Sequence, residues 1–265
     1  MDAAFWLKLS ISFIIGCLWV TLTTLSAERF GSKVGGLIGG LPSTVVIALL
    51  FIGITQSPQV AAQATTVMPL AQGLNGLFVL TFMVLVRSGL WAGLAGSLLV
   101  WLVQSTLLYI LNIAAFWISV AGWLVLLFTC YWLIEKQMKV TSRGKLIATN
   151  STSQILWRAI FGGAVISWAV WMGKLGGAML GGIFGSFPAM FLTTLVITYK
   201  SGGAEFSRSV GKSLLISGLI NVPLYEIAVR IAYPTIGLAL GTIAALIFAM
   251  GTGYLTYRAM QTTVS

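Results

Sequence analysis

Few side chains in this sequence are equipped for acid-base or metal chemistry: it has no histidine, two cysteines and five acidic residues in 265. Without histidine, a zinc, haem or Ser-His centre lacks its usual ligand or base. Cys17 and Cys130 each sit inside an apolar stretch and read as small core residues, not as a disulfide or a metal pair. No Walker-type phosphate loop, dinucleotide fingerprint or clustered metal ligand occurs. The composition points away from an enzyme and implies no cofactor and no metal.

The residues left to do chemistry lie in apolar surroundings. Glu226 is the one carboxylate well inside an apolar stretch. Such a group is a functional candidate for carrying a proton or binding a cation, unless it pairs with Arg230 one helical turn on. Two segments are interrupted by glycine and proline: Gly39-Gly40-Leu41-Pro42, followed by Ser43 and Thr44, and Gly185-Ser186-Phe187-Pro188. Proline removes an amide donor and disfavours helix at the preceding residue, so each segment is predicted to break. The half-helix that restarts offers free amides and the positive end of its dipole to an anion; the alternative is a proline kink with close glycine packing and no ligand. Asn75 and Asn221 occupy corresponding places in the spans that follow. A buried amide must be paired, either with unwound backbone or with a substrate. Lys33 and Lys174 precede the two glycine-rich runs at equivalent positions on opposite faces, where they would draw an anion into either vestibule. Setting topology explains Lys33 equally well, but not Lys174.

These residues need elements to hold them, and the composition says which. The chain is 58% hydrophobic and 8% charged, with a mean hydropathy of +1.00, against about 25% charged residues in a soluble domain. The apolar stretches run for roughly 20 residues, the length of a membrane-crossing helix, and lack the alternation of a membrane barrel strand. The expected fold is an all-α polytopic membrane protein with nine spans: 4–25, 34–54, 67–86, 89–110, 113–134, 155–172, 175–199, 214–232 and 236–257. A retained first span is preferred over a signal peptide because the start carries Asp2 and only Lys8.

The net charge of +10 is spread singly or in small groups between spans, which anionic headgroups and the positive-inside rule explain without a nucleic-acid partner. Arg29, Lys33, Arg87, Lys136, Lys139, Arg143, Lys145, Lys200, Arg208, Lys212 and Arg258 gather on one side, against Lys8, Lys174 and Arg230 on the other. The richer side is expected to face the cytoplasm, with the N-terminus outside and the C-terminus inside. The polar stretch 135–154 is the one long linker; it separates residues 1–134, with five spans, from 155–265, with four.

The two parts repeat one another. Lys33-Val-Gly-Gly-Leu-Ile-Gly-Gly-Leu-Pro42 returns as Lys174-Leu-Gly-Gly and onward to Pro188. Pro42 to Pro188 and Asn75 to Asn221 are both shifts of 146, and Gly93-Leu94-Ala95 returns as Gly237-Leu238-Ala239 after 144. The first Gly-Gly pairs are 141 apart, so the second copy carries about five extra residues before its proline. The alternative is that glycine-rich spans resemble one another because small residues pack helices. Under a duplication an odd number of helices separates equivalent spans, so the copies are inserted upside down, the inverted-topology architecture of many secondary transporters.

The run Ala27-Glu28-Arg29-Phe30-Gly31-Ser32-Lys33-Val34-Gly35-Gly36, with Gly39-Gly40-Leu41-Pro42 after it, resembles small bacterial inner-membrane proteins of the GlpM-like kind over the first third of the chain. The resemblance implies a prokaryotic inner-membrane protein and no particular substrate. The expectation is a secondary transporter or lipid-headgroup translocator for a small anionic substrate, sited near the midplane between the broken second and seventh spans. Its partners would be the bilayer and that substrate, and a homo-oligomer stays open. The alternatives are a non-transporting subunit that docks a partner through its glycine-rich faces, and an intramembrane enzyme acting on lipid, which the shortage of acid-base residues disfavours.

Overall fold

The computed structural model describes residues 2–29, 42–113, 115–138, 140 and 151–262. Lys33, Gly39 and Gly40 lie outside the described residues, as does the first part of the expected second span. In chain order the helices are α1 (Ala3–Arg29), α2 (Ser43–Thr55), α3 (Pro58–Ala64), α4 (Met68–Leu85, prolonged by a 3-10 turn Val86–Ser88), α5 (Leu90–Leu111), α6 (Phe116–Trp132, prolonged by a π turn Leu133–Met138), α7 (Thr152–Gly185) and α8 (Ala189–Thr262). No strand occurs among the described residues.

Among the described residues, five stretches are long and apolar enough to cross a membrane: Ala3–Ser26, Met68–Ser88, Leu90–Leu111, Phe116–Met138 and Thr152–Thr256. The last, 105 residues, is about five times the roughly 20 that one crossing needs. Positive-φ glycines divide it: Gly177 (φ 77°) bends α7, and Gly203 (φ 75°) and Gly237 (φ 79°) bend α8 into segments 189–202, 204–236 and 238–262. Each has an extended ψ near 180° that a side chain would oppose, so the chain turns there without a loop. Large apolar side chains cover the outside. Trp91, Trp117, Trp132 and Trp157 stand exposed near helix ends, where interfacial aromatic belts lie. The chain is a helical membrane protein.

α1 packs most extensively against α7. Ser12 meets Ser167, Cys17 meets Gly163, and Val20 covers Gly162, so the two helices run antiparallel; Ile166 in turn covers Gly16. Gly163 sits directly on the Phe13 carbonyl, where a side chain would collide with backbone. The buried apolar side chains form two main clusters. One joins α2 and α3 to Ile166 and Val170 of α7 and to segments 204–236 and 238–262 of α8. The other joins α4, Trp101 of α5 and the end of α6 to Leu195 of segment 189–202 and to Leu215 and Leu219.

Four connections differ from the sequence reading. The stretch with Lys200, Arg208 and Lys212 is helical, because the chain resumes helix directly after Gly203 and extends beyond its apolar portion. Tyr233-Pro234-Thr235 also stays helical, the turn falling at Gly237 instead of the proline. Thr55 to Thr66 holds the short helix α3, capped by the Ser57 hydroxyl accepting from the Val60 amide. The linker at 135–154 is shortened at both ends, by the π turn and by the start of α7 at Thr152.

The charged residues sort to two ends. Glu205 pairs with Arg87 at 3.3 Å and Arg208 at 2.7 Å, and Lys212 pairs with Glu135 at 2.7 Å, joining α4, α6 and α8 at one end. At the other, the Lys8 ammonium donates to the Ile54 carbonyl, and the Arg230 guanidinium donates to the Thr66 hydroxyl and lies over the Phe116 ring.

Candidate functional site

Helix α7 stops at Gly185 because Pro188 has no amide hydrogen to give the Phe184 carbonyl. The Phe187 amide takes that acceptor at 3.1 Å instead, the Ser186 hydroxyl back-bonds to the Gly182 carbonyl at 2.9 Å, and helix resumes at Ala189. A continuous helix would have bonded the Ser186 carbonyl to the amide four residues on. Here the Asn75 side chain donates to it at 2.6 Å, a long-range clamp from α4 onto the break. Pro42 likewise stands immediately before α2, and the first α2 bond runs from the Val46 amide to the Pro42 carbonyl. No side chain caps that N-terminus, so the amides of Ser43, Thr44 and Val45 precede any intrahelical partner.

The first residues of α2 and of segment 189–202 meet around one space. Pro42, Ser43, Thr44 and Val45 from one, and Phe187, Pro188, Ala189, Met190 and Phe191 from the other, line a single cavity of about 30 Å³, closed by Gln72, Gly218 and Val222. A helix N-terminus carries the equivalent of about half a positive charge, so two of them around one space repel unless something negative sits between. Ser43 and Thr44 are both more than nine-tenths buried, and no hydrogen bond engages either hydroxyl among the described residues. The Ser43 and Thr44 hydroxyls thus line the cavity with no hydrogen-bond partner among the described residues.

A polar file leads away from it. Asn75, 1% exposed, also donates to the Gln72 side-chain oxygen at 3.0 Å, and the Gln72 amide neighbours Glu226. Glu226 is 0% exposed and lies one turn beyond the cavity-lining Val222. Neither of its carboxylate oxygens has a hydrogen-bond partner at bonding geometry. Arg230 is not its counter-charge: that guanidinium is engaged by Thr66, the Ala62 carbonyl and Phe116. Of the two readings of Glu226, the ion pair with Arg230 is therefore not formed.

Residues 9–114 match a protein family described as of unknown function, DUF3147. The match spans the stretch that carries the GlpM-like resemblance and adds no activity to it. No curated protein matches the chain, and no solved structure does.

Of the residues singled out in the sequence, Pro42, Ser43, Thr44 and Pro188 line the cavity itself. Asn75 and Ser186 lie just behind it, bonded to each other. Asn221 is buried in segment 204–236, beside the lining Val222, and its side-chain oxygen accepts from Thr256 at 3.4 Å. Gly185 does not line the cavity; it packs near Ala48 and Met68 with room for a methyl group. Lys174 is exposed just before the bend at Gly177, away from the cavity. Gln72, Phe187 and Gly218 were missed. Gln72 had a signal, an amide one helical turn before Asn75 in the same apolar stretch; Gly218, covered by Phe191, had none that set it apart among 30 glycines.

Proposed function

We propose that the protein is a proton-coupled secondary transporter or lipid-headgroup translocator for a small anionic substrate, bound between the N-termini of α2 and segment 189–202. The observation that carries this reading is the convergence of the N-termini of α2 and of segment 189–202 on one cavity. Partly buried helix termini each stabilise an anion by up to about 2 kcal/mol, and opposed dipole ends have no other evident tenant here.

The architecture behind it is a pair of inverted repeats, with nine crossings, the Lys/Arg-rich end in the cytoplasm of a bacterial inner membrane, the N-terminus outside and the C-terminus inside. Several contacts support it. Gly16 is covered by Ile166 and Gly162 by Val20, and a shift of 146 exchanges one contact for the other, as a pseudo-twofold axis between antiparallel α1 and α7 requires. Gly89 and Gly237 both join helix to helix at positive φ with extended ψ. The family match ends at residue 114, just past the end of the would-be first repeat at α5. Each core cluster sets residues from the first part of the chain against residues from the second, in keeping with a cavity between two repeats.

Glu226 supplies the coupling. An anion in the cavity and a charge on the neighbouring carboxylate oppose each other, so substrate binding favours the protonated acid and protonation favours substrate, by equal amounts. A proton taken up on one face is then carried with the anion to the other.

Single cysteines introduced as Ser43→Cys or Ser186→Cys, in a chain lacking Cys17 and Cys130, test the site. A panel of anions and anionic lipids is expected to include members that slow thiol labelling at both positions. Labelling unchanged across the panel contradicts an anion site.

A further inference from the structure

Phe187 belongs to two spaces. One face closes the polar cavity. The other faces an apolar groove of about 370 Å³ lined by Trp101, Phe161, Ala164, Val165, Trp168 and Phe184, on α5 and both parts of α7. Its ring packs edge-on against Trp101, with centroids 4.7 Å apart, and against Phe161 at 6.1 Å. Ala164 and Trp168 in its lining are exposed, so the groove opens on the apolar outer surface of the helices. At about 30 Å³ the cavity as it stands holds a water or two, so a phosphate group enters it only when the Phe187 ring moves aside. Phe187 is the residue that lines both the small space and the large one, and it sits on the three-residue break between α7 and α8.

From this continuity we infer that the substrate is an amphiphile from the bilayer, an anionic phosphate headgroup on a hydrocarbon tail, and that Phe187 is the lateral gate through which the head enters. The inference rests on the anion site proposed above and names what occupies it. The groove takes the tail and the two helix N-termini take the phosphate. The aromatic lining suits hydrocarbon and offers a charged group nothing, while the cavity presents the Ser43 and Thr44 hydroxyls, with the buried Glu226 carboxyl one turn beyond the lining Val222. A water-soluble anion would have no use for a groove that opens into lipid.

The test uses the full chain in phosphatidylcholine vesicles doped with a photoreactive probe, a diazirine on the acyl chain of either phosphatidic acid or phosphatidylcholine. Crosslinks are mapped by mass spectrometry. Phosphatidic acid is expected to label the peptide containing Phe161 to Trp168 about tenfold more than phosphatidylcholine, the discrimination two helix termini provide for a negative head. Ser43→Asp should remove that excess, while Phe187→Leu, which keeps an apolar wall but a smaller one, should retain or raise it. Equal labelling by the two probes overturns the inference. Inorganic phosphate protection of Ser43→Cys, measured in the same vesicles, separates the two claims: protection with equal lipid labelling keeps the anion site and defeats the lipid substrate, whereas no protection and no preferential labelling defeats both.

Discussion

At the level of single residues, the break in α7 is held by one amide. Asn75 donates both to the Ser186 carbonyl, which the proline has orphaned, and to Gln72, which carries the contact on toward Glu226. Replacing Asn75 by leucine leaves that carbonyl unsatisfied in an apolar interior, at a cost of about 1–3 kcal/mol. Thermal unfolding in detergent should show a clear loss of stability; an unchanged midpoint would mean the carbonyl finds another donor. Glu226→Gln keeps the shape and removes the titrating proton. Uptake or flipping by this variant should no longer respond to a pH gradient, although the anion still protects Ser43→Cys. A retained pH response would assign coupling to another group. Sequence alone left Glu226 open between coupling and an ion pair with Arg230, because residues one turn apart on a helix are able to meet. Tertiary packing removes the ion pair: Ala62 of α3, Thr66 just after it and Phe116 of α6 occupy the guanidinium.

At the level of elements, the prolines and glycines in the sequence carried most of what was legible. Pro188 marked the break within one residue of its place, and Pro42 marked the start of α2. One element differs where charge suggested a loop: on either side of the turn at Gly203, the stretch from Lys200 to Lys212 is helical, because a helix prolonged past its apolar portion keeps its backbone bonds while its side chains turn polar. Restoring continuity at the break should weaken the site. Pro188→Ala gives residue 188 an amide and permits helix at Phe187, drawing donors back into the ladder. Anion protection of Ser43→Cys should then fall by several-fold with the fold retained, as a thermal-shift measurement would show; undiminished protection would separate the break from binding. Gly163→Val probes a different joint. The Gly163 Cα faces the Phe13 carbonyl, so a larger residue must push α1 from α7, with an expected loss of about 1–3 kcal/mol in detergent unfolding.

At the level of the whole molecule, the sequence repeat had suggested two halves, but not that they interlock. Core clusters that set α2 against the later α8 segments, and segment 189–202 against α4 and α5, arise from tertiary packing that a shift of 146 in the sequence does not describe. The same interlocking explains why Gln72 and Phe187 escaped notice: which way a side chain points at a broken helix depends on what the other half presents to it. The account as a whole depends on the halves lying upside down relative to each other, since this is what brings two N-termini head to head. The direct measurement is the sidedness of a tag ahead of α1 and one after α8 in intact cells, read by a membrane-impermeant reagent. Tags on opposite faces, with the one after α8 in the cytoplasm, are the predicted result; both on the same face would contradict the inverted arrangement and remove the cavity's physical basis.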